Sequence, residues 1–236
     1  MRRLRPVFLL PAVLAMALVL TPKDVPFHEG SIAFIGDSLT LGGNVSYPSR
    51  DFVSLVTAYI DSRSGDEQRS AFLSFDPATD RIAAAQAMQH DRRFVIIELG
   101  VHAVINEAIS PDEFRQIYGT LLDCVTGGST IVVAGTIPWL EWAAIDPIYE
   151  RADLFSQIIA QEAAKRQVAV ADLWAATKLR LNLISTPQDR TFLGSGRGDN
   201  LHPNDAGHAV IAQTYEQALA AELANPPNRP FDRQCH

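Results

Sequence analysis

The sequence predicts an α/β protein: a three-layer α/β/α sandwich on a central, mostly parallel five-stranded sheet. Three observations carry that reading. Short segments such as Phe94–Leu99 and Thr130–Ala134 are apolar almost throughout, as strands buried on both faces are. Longer segments between them, such as Asp51–Ser62 and Tyr149–Arg166, space their apolar residues at the helical period. The two kinds alternate about five times along the chain, which implies parallel strands joined by right-handed helical crossovers lying on both faces of the sheet.

Taken in order, Ser31–Gly36 is the first strand, an apolar run closed by glycine. Asp51–Ser62 follows as a helix, with Phe52, Leu55, Val56, Tyr59 and Ile60 at helical spacing. Ala71–Phe75 is the second strand, and the alanine-rich Asp80–His90 is a helix by propensity. Phe94–Leu99 is the third and clearest strand. Ser110-Pro111-Asp112-Glu113 then opens a helix that ends before Gly127-Gly128. The serine caps it, the proline sits where the N–H is unpaired anyway, and the acids meet the positive end of the dipole. Thr130–Ala134 is the fourth strand. Tyr149–Arg166 is a long amphipathic helix with Leu154, Ile158 and Ile159 on one side. Val168–Asp172 completes the sheet and Asp205–Ala224 is the last helix. Gly194-Ser195-Gly196-Arg197-Gly198 reads as a loop; no strand precedes it, so it is not a dinucleotide fingerprint.

The ends of the chain differ from its middle. Arg2, Arg3 and Arg5 precede an apolar run from Val7 to Leu20, a basic start and apolar core as in a secretory signal. The run is shorter than the roughly 20 apolar residues of a typical spanning helix. Ala15-Met16-Ala17 offers a cleavage site, but one that cuts the run short. Residues 1–22 are therefore expected to be a signal peptide or an uncleaved signal anchor. Residues 23–30 read as a linker, 31–225 as the folded domain and 226–236 as a tail. An extracytoplasmic location follows, with membrane contact only through the leader if it stays. Of the two cysteines, Cys124 and Cys235, either both pair in an oxidising compartment or Cys124 is a buried thiol. The net charge of −7 and the lack of a basic run past the leader argue against nucleic acid as a partner. A monomer is expected.

Three segments carry chemistry, each at the carboxyl end of a strand or before the last helix. Gly36-Asp37-Ser38-Leu39 directly follows the first strand. A serine there faces the edge of an open α/β sheet where ligands bind, though a serine after a strand also serves as a helix cap. Asp199-Asn200-Leu201-His202-Pro203-Asn204 precedes the last helix. Serine is a weak nucleophile until a base takes its proton. A histidine can do so, and a carboxylate can fix its tautomer. Glu98-Leu99-Gly100-Val101-His102-Ala103 opens at the same edge, and Gly100 and His102 are candidates to line the site. His202 and His208 lie six apart without the carboxylates of a metal site and are not read as one.

Gly36-Asp37-Ser38-Leu39, together with Asp199-x-x-His202-Pro203-Asn204-x-x-Gly207-His208, resembles the GDSL, or SGNH, hydrolase family. The strand–helix order fits that family's flavodoxin-like sandwich. The resemblance implies ester hydrolysis through an acyl-serine intermediate, on small-molecule, glycan or lipid esters. It makes Ser38 the nucleophile, His202 the general base and then acid, and Asp199 the orienting carboxylate. It also makes the Ser38 N–H an oxyanion donor and implies no metal or organic cofactor. An acyltransferase with the same triad and a non-catalytic glycan- or lipid-binding domain are the alternatives.

Two signature positions depart from the family pattern. Where the family has an asparagine after the third strand, this chain has His102. A neutral imidazole keeps one N–H and can replace that donor. After the second strand no glycine occurs in Ser74-Phe75-Asp76-Pro77-Ala78-Thr79, and Pro77 has no N–H to give; Asp76 or Ala78 is left to offer one. Glu98, a carboxyl inside an apolar strand, needs either an opening to the cleft or a partner such as Arg93. Trp139 and Trp142 either shape a pocket or pack beneath a long loop.

Overall fold

The structure, a computed structural model, describes residues 32–43, 45–65, 69–73, 84, 92–105, 108–138, 146–183 and 202–228. Five strands, β1 (Ile32–Gly36), β2 (Arg69–Leu73), β3 (Phe94–Glu98), β4 (Ile131–Gly135) and β5 (Ala169–Ala171), form one sheet in the order β2-β1-β3-β4-β5. All pairings are parallel. Successive side chains split between the two faces, as the strand period of two requires. Ile32, Phe34, Phe94, Ile96, Ile131 and Val133 meet one helical layer, formed by α1 (Phe52–Ser64) and α6 (Asp205–Ala224). Ala33, Ile35, Val95, Ile97, Val132 and Ala134 meet the other. That layer is formed by α2 (Val101–Ile105), α3 (Pro111–Val125) and α4 (Asp146–Lys165). In it Phe114 and Phe155 stack at 4.4 Å between centroids.

The expected sandwich is therefore the observed one, with boundary corrections that have physical causes. β2 lies two residues earlier than the apolar run Ala71–Phe75, because its length is set by pairing with β1, Ile32 opposite Arg69 and Gly36 opposite Leu73. α4 begins at Asp146 rather than Tyr149, and Leu154 points outward at 41% exposure while Ile158 and Ile159 are buried. Two helices show no usable period in the sequence: the single-turn α2 and α5 (Leu173–Leu183). The latter is started by Asp172, whose carboxylate accepts from Ala175 N at 3.0 Å. The helix expected at 80–90 lies outside the described residues except for Ala84, which is helical and buried. The leader, the linker and the tail beyond residue 228 lie outside them as well.

The strand order decides where a site can form. From β1 the chain runs outward to β2, then returns across β1 to place β3 on its other side. The connections leaving β1 and β3 diverge, and a crevice opens at their carboxyl ends, where ligands bind in open α/β sheets.

Candidate active site

Ser38 stands at this crevice, on the turn leaving β1. The turn is no helix start, so Ser38 is not a cap. It is built by Asp37, whose Oδ1 accepts from Leu39 N at 3.1 Å and whose carbonyl accepts from Thr40 N at 3.0 Å. Short Asp side chains favour such local closure. Asp37, Leu39 and Thr40 are buried, while Ser38 between them is half-exposed.

His202 arrives from the segment before α6, and its Nε2 lies 2.9 Å from Ser38 Oγ. The two residues are 164 positions apart in the chain. Asn204 caps α6 through Oδ1, accepting from Gly207 N at 3.0 Å, so Asp205 is free for another task. Its carboxylate accepts from Ser46 N at 2.8 Å, Ser46 Oγ at 2.5 Å and Arg50 at 2.6 Å. These donors, the Ser46 hydroxyl first, hold Asp205 down to about 2. One turn along α6, His208 is buried and stacked on Phe52. Its Nδ1 accepts from Phe52 N at 3.2 Å, which leaves the Nε2 hydrogen to donate to Gly43 O at 3.3 Å. Burial pushes the His208 imidazole down, keeping it neutral. Asp205 and His208 thus fasten Gly43, Ser46 and Arg50 to α6, and Gly43 lies flat against the His202 ring. A Cβ at Gly43 would sit 2.6 Å from His202 Cδ2.

Beneath Ser38 lies a second carboxyl. Glu98 ends β3 directly opposite Gly36 of β1 and is 2% exposed. Its side chain bonds to Asp37 and accepts from Thr40 Oγ1 at 3.3 Å. Burial, then the neighbouring Asp37, push Glu98 well above the usual carboxylate range. Burial also raises Asp37, against the pull of the Leu39 N–H, His102 and His202. The suggested pairing of Glu98 with Arg93 is corrected: Arg93 precedes β3 at its amino end, a full strand length away, and its guanidinium lies 5.0 Å from the centre of the Phe94 ring.

The remaining candidates fall as follows. Gly100 leaves β3 with φ of +139°, a conformation suited to glycine, and its carbonyl accepts from Val104 N at 2.9 Å to start α2. His102 is half-buried on α2 and close enough to Asp37 to lower its affinity for a proton. Arg151 holds that helix from α4, donating to Ala103 O at 2.9 Å, to Val104 O at 3.0 Å and to Ile109 O. Ser38, Gly100, His102 and His202 are therefore on one rim. Asp199, Asp76, Ala78, Trp139 and Trp142 lie outside the described residues. Among those described, no cluster of metal ligands occurs. Cys124 is buried and disulfide-bonded; Cys235 lies outside the described residues. Asp37, Gly43 and His208 escape a reading by residue type, although Asp37 and His208 sit inside the two motifs that drew attention to Ser38 and His202.

A serine hydroxyl in contact with an imidazole, at the switch point of a parallel α/β sheet, is the layout of a serine hydrolase. The chain belongs to the GDSL-like Lipase/Acylhydrolase family, whose model matches residues 34–210, and is an SGNH-type esterase. Solved structures with the same fold include LAE5, an alpha/beta hydrolase enzyme from the metagenome of Lake Arreo, Spain. It has a TM-score of 0.63 and 19% identity, covering 82% of this chain and 97% of that one. The acetylxylan esterase Axe2 from Geobacillus stearothermophilus matches with a TM-score of 0.60 and 19% identity, over 82% of this chain and 97% of its own. The lipase/acylhydrolase from Enterococcus faecalis gives 0.60 and 19%, over 85% and 98%. At such identities the likeness is one of fold. No curated protein matches the chain.

Proposed function

We propose that this esterase works through an acyl-serine intermediate, with Ser38 as nucleophile and His202 as its base, on acyl esters of glycans outside the cytoplasm. The observation that carries the reading is the 2.9 Å separation of Ser38 Oγ and His202 Nε2, the reach a general base needs. Ser38 Oγ attacks the acyl carbon while its proton passes to His202. The carbonyl electrons move onto oxygen. When they return, the C–O bond to the alcohol breaks and the imidazolium gives that alcohol its proton. Water, deprotonated in turn by His202, attacks the acyl carbon; the bond to Ser38 Oγ breaks, the imidazolium returns its proton to Oγ, and the acid leaves. Asp199 fits the role of the carboxylate that steadies the imidazolium. The Ser38 and Gly100 N–H groups and the His102 ring are the candidates to receive the oxyanion, each such donor being worth roughly 10²–10³ in turnover.

Several facts support the finer parts of this reading. Two catalytic mutants of the Geobacillus acetylxylan esterase, which share the fold, replace a serine and a histidine. Its substrate makes acetyl groups on glycans the first class to test, ahead of lipid or small esters. The disulfide at Cys124 and the apolar leader both fit an oxidising compartment outside the cytoplasm. Ser38→Ala and His202→Ala are each expected to lower hydrolysis of a nitrophenyl acetate by about 10⁴-fold or more. A fluorophosphonate probe is expected to label the wild type at Ser38 and neither variant. Labelling at another residue, or turnover surviving in Ser38→Ala, overturns the assignment.

A further inference from the structure

Asp37 and Glu98 form a buried carboxyl pair that the serine–histidine chemistry does not use. Both lie under the turn that presents Ser38, and both are sealed from water, at 0% and 2% exposure. Asp37 Oδ1 is engaged by the Leu39 N–H. Among the described residues no N–H or O–H group reaches Asp37 Oδ2, and the side chain bonded to Asp37 is another carboxyl, Glu98. Two buried carboxylates in contact repel, and a buried acceptor without a donor is costly. One hydrogen between them removes both penalties.

We propose that Glu98 is a positioning residue: it keeps its proton, donates a hydrogen bond through it to Asp37, and this carboxyl–carboxyl bond fixes the turn that aims Ser38 at His202. Asp37 is tied through Leu39 to the residue after the nucleophile, and Glu98 through Thr40 to the next. The pair therefore grips the turn on both sides of its apex. Other ionisable groups face it from each neighbouring element: His102 from α2, His202 from the segment before α6, and Tyr215 from α6. Tyr215 is spent on Ile97 O, to which it donates at 2.7 Å. Both histidines favour the charged form of Asp37, so the proton belongs on Glu98. When rising pH removes it, the two anions push apart and the Ser38 turn shifts. The role rests on Ser38 being the nucleophile, but the shared proton does not.

Two measurements test it. Carbon-13 NMR of wild type, Glu98→Gln and Asp37→Asn is expected to show one carboxyl still protonated at neutral pH, its signal absent in Glu98→Gln. In kinetics with a nitrophenyl acetate, Glu98→Gln, which keeps an N–H for Asp37, is expected to retain kcat within about threefold and to lose the alkaline decline of the wild type. Glu98→Ala is expected to lose about 10²-fold in kcat at unchanged KM, the scale of a misplaced reacting group. The proposal is overturned if both carboxyls ionise in the ordinary range, if a folded Glu98→Ala keeps wild-type kcat and pH profile, or if Glu98→Gln falls as far as Glu98→Ala. Should the alanine variant fail to fold, the glutamine variant and the carboxyl titration decide. Turnover surviving in Ser38→Ala overturns the nucleophile assignment instead, and the titration is read independently of it.

Discussion

Gly43 leaves no room between the chain and the His202 ring, and that closeness is a restraint on the proposed base as much as a packing detail. The imidazole is held within 2.9 Å of Ser38 Oγ on one side and backed by Gly43 on the other. Gly43 in turn is anchored through its carbonyl to His208. A methyl group at residue 43 must displace the ring or the segment, since its carbon would lie 2.6 Å from Cδ2. Gly43→Ala is therefore expected to lower kcat by about 10²-fold, the typical cost of a misplaced catalytic group. Its effect on thermal stability is expected to be small by comparison, because Gly43 is partly exposed and outside the core. Steady-state kinetics beside a melting curve checks this; unchanged kcat would show that His202 does not depend on its backing.

At the scale of elements, α2 carries the departure from the family pattern. It is one turn long and does not stabilise itself, helix nucleation being unfavourable. Arg151 supplies what it lacks, its guanidinium fork gathering carbonyls from Ala103, Val104 and Ile109 while lying 4.4 Å from the centre of the Phe155 ring. His102 is thus set on a braced support rather than a loose loop, which suits the oxyanion role proposed for it. His102→Ala is expected to lose about 10²–10³ in turnover and His102→Asn to recover most of it, asparagine also offering a side-chain N–H. An alanine variant as active as wild type on an aryl ester removes the donor role. The strands and the long helices were legible in the sequence because burial on two faces, or on one stripe, leaves a period. α2 was not, because one turn has no period; α5 was not, because it buries Leu173, Trp174 and Thr177 without a regular stripe. Ser38 and His202 were legible as reactive types in familiar spacing. Glu98 was legible as a carboxyl out of place in an apolar strand, but its partner was not; Asp37 and Gly43 act through contacts between segments, which no local pattern records.

For the whole molecule, the crossing from β2 over β1 to β3 does two things at once. It opens the crevice, and it sets Glu98 opposite Gly36, so that the carboxyls of Glu98 and of Asp37, one residue past β1, meet away from solvent. That placement links folding to pH. Glu98 keeps its proton in the folded chain well above 4.5, where the unfolded chain loses it. The folded state then binds more protons, and stability falls as pH rises from about 4.5 toward the pair's own range. His208 acts in the other direction. Its folded affinity for protons is lowered from 6.5, so the unfolded chain takes up a proton first, and stability falls as pH drops below about 6.5. Asp205 adds an acid limb, its contribution present above 3.8 and lost as pH falls toward about 2. Glu98→Gln removes the first of these terms and leaves the other two. Its melting temperature, relative to wild type, is therefore expected to climb steadily as pH is raised above about 4.5, then to level off once the wild-type pair has ionised. Thermal unfolding of both proteins across that range measures the difference directly. A difference that stays flat with pH would mean that Glu98 holds no excess proton in the folded state, and the carboxyl pair would then be two anions that the fold tolerates for some other reason.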